Sequence, residues 1–160
     1  MTVLYYINRE QIERRIVALE DVCEALQQVS THWDSSLISG FVQERALHLA
    51  IECVTDIGSY LIDGFIMRDA SSYDDIVDIM RDEKVIDQPM GETLTALVRL
   101  RRPLVQEYYD WNRTELHPLT TPLVHVLKEF GQRVYTYLDQ ELDSLTVVNV
   151  DRASGNSTST

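Results

Sequence analysis

Apolar side chains recur every three or four residues along most of the chain, which is the spacing of α-helices with a buried face. The longest such stretch spans residues 37–67 and has two adjacent apolar stripes. A helix of this kind usually lies at the centre of a domain. The small residues of the second stripe would also suit close contact with a second copy of the chain. The first stripe contains Leu47, Ile51, Val54, Gly58, Leu61 and Phe65, and the second contains Ala46, Ala50, Cys53, Ile57, Tyr60 and Gly64.

Residues that interrupt helices are scarce, with 6 glycines and 4 prolines in 160 residues, so helices are favoured over a many-stranded sheet. Asn8 and Ser72 are typical helix N-caps, each followed three residues later by a Gln or an Asp. We predict an all-α, up-and-down bundle of about five helices around a long central helix 2, forming a dimer. The other helices are expected over residues 8–30, 72–83, 92–111 and 122–142, with a break at 87–91.

One domain is expected over residues 1–150, because no linker long enough to separate two domains is present. Residues 151–160 are rich in Ser, Thr, Asn and Gly and lack large apolar groups, which predicts a disordered tail. The N-terminus lacks the basic flank of a signal peptide, and no apolar run is long enough to span a membrane. A cytoplasmic protein is expected, with Cys23 and Cys53 as reduced core thiols.

The formal net charge of −12 opposes general binding to nucleic acids or anionic membranes. A local basic cleft remains compatible with this charge, and Arg99, Arg101 and Arg102 form the densest positive cluster. No glycine-rich phosphate loop or zinc pattern is present, so we expect no cofactor and no metal. Glu44 and His48, four residues apart, could contact a metal ion, but a solvated or hydrogen-bonded helix face is favoured.

On the predicted fourth helix, Arg101 and Tyr108 are seven residues apart and therefore share an otherwise apolar face, with Gln106 on its flank. In one interpretation, Arg101 pairs with an acid on another helix and Tyr108 packs in the core. Pro103 lies between them and lacks a backbone N–H. The helix is therefore expected either to kink there, or to stop and restart with Pro103 near the new N-terminus.

The frame Arg-x4-Gln-x-Tyr at residues 101–108 resembles the Arg-x4-His-x-Tyr motif of the HepT-like branch of HEPN ribonuclease toxins. The resemblance covers residues 8–143 and includes the segments 61–69 and 72–76. It implies a dimeric helical bundle whose motif residues meet in a cleft that cleaves RNA without metal. It also implies that Arg101 binds phosphate at the catalytic site with Tyr108 and the residue at position 106. From their clustering beside Arg101, we predict that Arg99 and Arg102 bind RNA. The implied partner is a minimal nucleotidyltransferase antitoxin that adds AMP to Tyr108.

The chain departs from this motif at two positions. Gln106 stands where the family has its histidine, and Arg102 replaces a polar residue that is commonly Asn. An amide cannot exchange a proton near neutral pH as an imidazole can, so we expect weakened RNA cleavage. His117 is the nearest histidine in sequence, but is not favoured as a substitute. The alternative is a non-catalytic dimeric interaction or regulatory module on the same scaffold.

Overall fold

Helices make up the secondary structure of the computed structural model, which describes the backbone of residues 6–154 and the side chains of residues 6–142. Five α-helices and no strand are found over this range, so the prediction of an all-α fold with five helices is confirmed. A π-helical turn at Arg102–Gln106 and a 3₁₀ turn at Tyr108–Asp110 lie between the last two helices. The helices are α1 Arg9–Thr31, α2 Leu37–Gly64, α3 Tyr73–Asp82, α4 Gln88–Val98 and α5 Thr120–Ser154.

Four helices begin at a polar side chain that accepts a hydrogen bond from a backbone N–H three residues later. Such a cap satisfies a donor that has no partner inside the helix. The two caps predicted from the sequence, Asn8 and Ser72, are confirmed. The capping residues are Asn8 for α1, Ser36 for α2, Ser72 for α3 and Asp87 for α4.

α2 is the central helix, since it packs against α1 and also contacts α3, α4 and α5. Both predicted stripes of α2 are buried apart from Tyr60 and Phe65, which are partly exposed. At each glycine of α2, another part of the same chain packs closely against the helix. A Cβ at Gly58 would collide with Ile76 of α3. These glycines are therefore packed inside one subunit, while the expected dimer stays a prediction.

The fourth helix differs from its prediction at both ends. It begins at Gln88, within the expected break, because Asp87 caps it and Pro89 lies in the first turn, where a missing N–H costs no hydrogen bond. It ends at Val98 rather than continuing to residue 111. The chain then forms the π-turn with Pro103 near its start, and the Glu107 N–H donates to the Arg102 carbonyl over 2.9 Å. The stop-and-restart alternative for Pro103 is therefore the one observed.

Two further bounds differ from the sequence prediction. α2 ends at Gly64, three residues before the predicted limit. α5 continues to Ser154, four residues into the segment expected to be a tail, and residues 155–160 lie outside the described part of the chain. The described residues contain no helix that is both long and apolar enough to cross a bilayer.

Both cysteines are free thiols in the core, as predicted. Burial is the main cause that raises the pKa of Cys53, to about 11, and burial also raises the pKa of Cys23. Both side chains are therefore protonated and weakly nucleophilic near neutral pH.

The contact between α2 and α3 at Gly58 gives a first testable prediction. Gly58→Ala should lower the free energy of unfolding by about 1–3 kcal/mol, because the new methyl group collides with Ile76 in a packed core. Gly91→Ala in α4 is the matched control, since its Cβ would lie 3.5 Å from the Arg81 side chain, an ordinary contact. Urea unfolding of the two variants measures the difference, and equal stabilities would contradict the α2–α3 packing described.

Candidate functional site

Arg101 lies just before the π-turn, with its guanidinium over an aromatic ring. Its Cζ atom is 4.5 Å from the ring centroid of Tyr73, the first residue of α3. Its Nε is buried and has no hydrogen-bond partner, and no ion pair with a carboxylate is found for it within residues 6–142. The expected pairing of this arginine with an acid on another helix is therefore not observed. A neutral ring holds the side chain in place and leaves its positive charge uncompensated.

The two neighbouring arginines have carboxylate partners. Arg99 Nε lies 2.9 Å from a carboxylate oxygen of Asp74, and Arg102 Nε lies 3.0 Å from one of Glu107. Both arginine side chains are largely exposed, and such ion pairs contribute about 0–1 kcal/mol, so an anionic ligand could displace them. Among residues 6–142, Arg101 is therefore the member of this arginine cluster that has no carboxylate partner.

Gln106 and Tyr108 are both exposed, on either side of Glu107. Tyr108 is 56% exposed and packs edge-to-face on Tyr109, so the alternative that it is a core residue is wrong. The backbone leaves helical geometry at Glu107, with φ −107° and ψ 34°. Because of this break and the π-turn before it, the two-turn spacing of an α-helix does not relate Arg101 to Tyr108.

Arg113 anchors the segment after the 3₁₀ turn to α2, a contact that the sequence analysis missed. Its Nε lies 2.7 Å from Glu44 Oε2 in a mostly buried ion pair, and its guanidinium lies over the Phe41 ring. Its Nη2 also donates to the Tyr108 carbonyl over 3.2 Å. Glu44 is thus engaged by an arginine, whereas His48 contacts other polar groups on the same helix, which agrees with the predicted hydrogen-bonded face.

A buried glutamine of α2 fixes the loop that leads into α5. Gln43 is fully buried, and its Oε1 accepts hydrogen bonds from the His117 N–H over 2.8 Å and the Thr120 hydroxyl over 2.7 Å. Its Nε2 donates to the Glu115 carbonyl over 3.1 Å. These three bonds span more than seventy positions in sequence, so no local spacing reveals them.

A hydrogen bond to His117 determines which nitrogen of its neutral ring carries the hydrogen. Its Nδ1 accepts the Leu119 N–H over 3.1 Å, so in the neutral ring the hydrogen is on Nε2. Burial lowers the pKa of His117, which favours this neutral form. The nitrogen that could face a ligand therefore donates a hydrogen bond and has no free lone pair. This state does not suit a general base in place of Gln106 and supports the sequence interpretation.

The Gln43 hydrogen bonds give a second prediction. Gln43→Leu should destabilise the fold by about 2–4 kcal/mol, because it leaves several partly buried polar groups without a partner. Gln27→Leu on the exposed face of α1, where the amide bonds only to Thr31 in the described structure, is the control. Thermal unfolding of both variants measures the effect, and a Gln43→Leu melting temperature within a degree or so of the control would refute it.

The pKa of His117 gives a third prediction, for stability against pH. A group whose pKa is lower in the folded chain binds fewer protons there, so protonation favours unfolding. The contribution of His117 to the free energy of unfolding is complete above the ordinary histidine pKa of about 6.5, and it is lost as the pH falls below that value. His117→Asn keeps an acceptor for Leu119 but does not titrate. Urea unfolding from pH of about 7.5 to about 5.5 should show a steeper loss for the native chain, and parallel profiles would contradict this.

Comparison with known proteins gives the family of this chain. The model of the family described as Ribonuclease HepT-like matches residues 12–134. A Bacillus subtilis (strain 168) protein named as a candidate RNase, YutE, is 40% identical over 139 residues, which cover 87% of this chain and 95% of that protein.

Solved structures agree with this match. That of YutE from Bacillus subtilis, described as a cytosolic protein of unknown function, has a TM-score of 0.76 at 39% identity, covering 86% of this chain and 95% of that one. A crystal structure of a toxin-antitoxin with AMP-PNP has a TM-score of 0.66 at 17% identity, covering 77% and 96%, and shares the fold. From its matched family model and its relative, the chain belongs to the HepT-like ribonuclease family.

Proposed function

We propose that the protein is a toxin-type, RNA-binding member of this family in which Arg101 binds a phosphate of the RNA backbone. The observation that carries the proposal is the position of Arg101, which is fixed by the Tyr73 ring and not neutralised by a carboxylate in the described structure. A guanidinium can form two parallel hydrogen bonds with a phosphate. Arg99 and Arg102 lie beside it in sequence and would contribute once their exposed ion pairs exchange.

Cleavage by this site is proposed to be weak. Gln106 is exposed at the end of the π-turn, where its amide can donate and accept hydrogen bonds but cannot transfer a proton. General acid–base catalysis typically contributes about 10²–10⁴ to a rate. An RNA held by Arg101 would therefore be bound but cut slowly.

Tyr108 is proposed as the residue to which a minimal nucleotidyltransferase antitoxin adds AMP. Its exposure supports this role, because a modifying enzyme must reach the phenol. The structural likeness to a toxin-antitoxin is in keeping with such a partner. A cytoplasmic location is proposed with it, since the relative YutE is described as cytosolic.

A homodimer is also proposed, with a different surface from the small-residue stripe of α2. Three large apolar side chains at the start of α2 are more than half exposed, at 66% for Leu37, 76% for Ile38 and 51% for Phe41. Adjacent exposed apolar groups of this size are typical of an interaction surface.

The second candidate function is a non-catalytic interaction or regulatory module. The observation that favours it is the missing acid–base group at Gln106, together with the ion pairs that occupy Arg99 and Arg102. The two functions differ in one measurable property, which is whether the site can be made to cleave RNA.

The fourth prediction restores the missing group. Gln106→His should raise cleavage of a structured RNA by about 10²-fold or more over the native chain, because an imidazole can transfer a proton near neutral pH. Adding Arg101→Ala should abolish the gain, since the phosphate is no longer held. Arg14→Ala, on the exposed face of α1, is the matched control for loss of one positive charge and should keep the gain.

Two outcomes would redirect the assignment. No gain from Gln106→His in a folded protein would favour the interaction module over the RNA nuclease. Strong native cleavage that survives Arg101→Ala would overturn the assignment of the motif.

A further inference from the structure

A small cavity lies beside the π-turn, at the junction of the 3₁₀ turn and the loop held by Gln43. Its volume is about 230 Å³, below the roughly 300–1,000 Å³ of pockets for drug-sized ligands. It is therefore suited to one small group. Its wall includes Glu107, Asp110, Trp111, Glu115 and His117.

Two aromatic rings form a stack in this wall. The rings of Trp111 and His117 lie with centroids 5.5 Å apart and planes 18° from parallel. Each is only partly exposed. The loop that carries them is fixed by the hydrogen bonds of Gln43. With centroids this far apart the imidazole overlaps only part of the indole, and a flat ring can stack on the rest of that face, as single-stranded RNA bases stack on protein aromatics.

The wall of the cavity has both a hydrogen-bond donor and a hydrogen-bond acceptor. His117 Nε2 carries a hydrogen, because Nδ1 accepts the Leu119 N–H, and no partner for Nε2 is found within residues 6–142. Glu107 offers two carboxylate oxygens, of which Oε1 lies 3.0 Å from Arg102 Nε. The cavity thus presents a donor and an acceptor beside a stacking surface.

From these features we infer that the cavity binds a guanine base. The guanine ring would stack on Trp111 beside His117, in the plane of the imidazole. There O6 can accept a hydrogen bond from His117 Nε2, and N1–H and N2–H can donate to the carboxylate of Glu107. The inference deepens the proposed RNA-binding function and depends on it for the source of the guanine. It makes the cavity a base-recognition subsite beside the phosphate site of Arg101.

Other planar groups match the wall less well. Adenine, uracil and cytosine do not place an acceptor and two adjacent donors along one edge. The guanidinium of a partner protein's arginine would stack and bind Glu107, but it has donors alone and would oppose the Nε2–H of His117. The two carboxylates of Asp110 and Glu115, which are exposed, also disfavour a phosphate inside the cavity.

The chain provides its own reporter for this inference. It contains two tryptophans, Trp33 and Trp111. The full-length Trp33→Phe variant therefore keeps a single tryptophan, Trp111, which lies in the wall of the cavity. Guanosine, adenosine, cytidine and methylguanidinium are titrated separately into this variant, to millimolar concentration, while tryptophan fluorescence is recorded. None of these probes carries a phosphate, so the result does not depend on Arg101. The phosphate site is tested apart, by the RNA assays above.

Guanosine should quench the Trp111 fluorescence to saturation and bind at least about tenfold more tightly than adenosine or cytidine. Glu107→Gln in the same background should remove this preference, because an amide replaces one acceptor oxygen by a donor. Glu10→Gln, an exposed acid on α1, is the matched control and should preserve it. His117→Ala should weaken guanosine binding by about tenfold or more through loss of the Nε2 donor.

Each contrary result overturns the inference. The first is that guanosine does not quench the folded Trp33→Phe variant to saturation. The second is that the three nucleosides bind with equal affinity. The third is that the preference for guanosine survives Glu107→Gln. Tighter binding of methylguanidinium than of guanosine would assign the cavity to an arginine of a protein partner instead. Circular dichroism of each variant establishes that it is folded before it is titrated.

Discussion

The buried amide of Gln43 is the interaction on which the functional end of the molecule depends. A polar group inside the core is costly unless its hydrogen bonds are satisfied, and both ends of this amide are satisfied by the loop before α5. The loop therefore has one favourable position on α2. The ion pair of Arg113 with Glu44, one residue from Gln43, fixes the same segment a second time. The placement of Tyr108, the aromatic stack and the start of α5 all follow from these two contacts.

Local sequence determined the parts of the fold that depend on neighbouring residues. The caps at Asn8 and Ser72 and the buried stripes of α2 could be predicted, because a helix repeats every 3.6 residues and its ends need specific side chains. The predicted start of α4 is wrong because Asp87 and Pro89 are typical of a break between helices, although the same residue types also begin helices. The end of α4 was misplaced because the π-turn has no recognised signature in sequence.

The candidate site was less predictable, since its contacts link distant parts of the chain. The motif identified Arg101, Gln106 and Tyr108, but not Tyr73, which holds Arg101 from 28 positions away in the sequence. The formal charges in the sequence also do not distinguish Arg99, Arg101 and Arg102 from one another. Two of them have nearby carboxylates and one lies on a ring, so their availability for an anion differs although their formal charges are equal. A local count of charge therefore overstates the positive field of this cluster.

The π-turn also changes the angular relation between Arg101 and Gln106, the first two positions of the motif. In a regular α-helix, residues five apart are rotated by about 140° around the axis and face different directions. A π-turn closes its hydrogen bond over five residues, so residues five apart lie nearly one above the other along the axis. Arg101 and Gln106 are separated by five, and the turn between them is of this wider kind. The four-residue gap of the motif is thus matched to the pitch of the backbone that carries it.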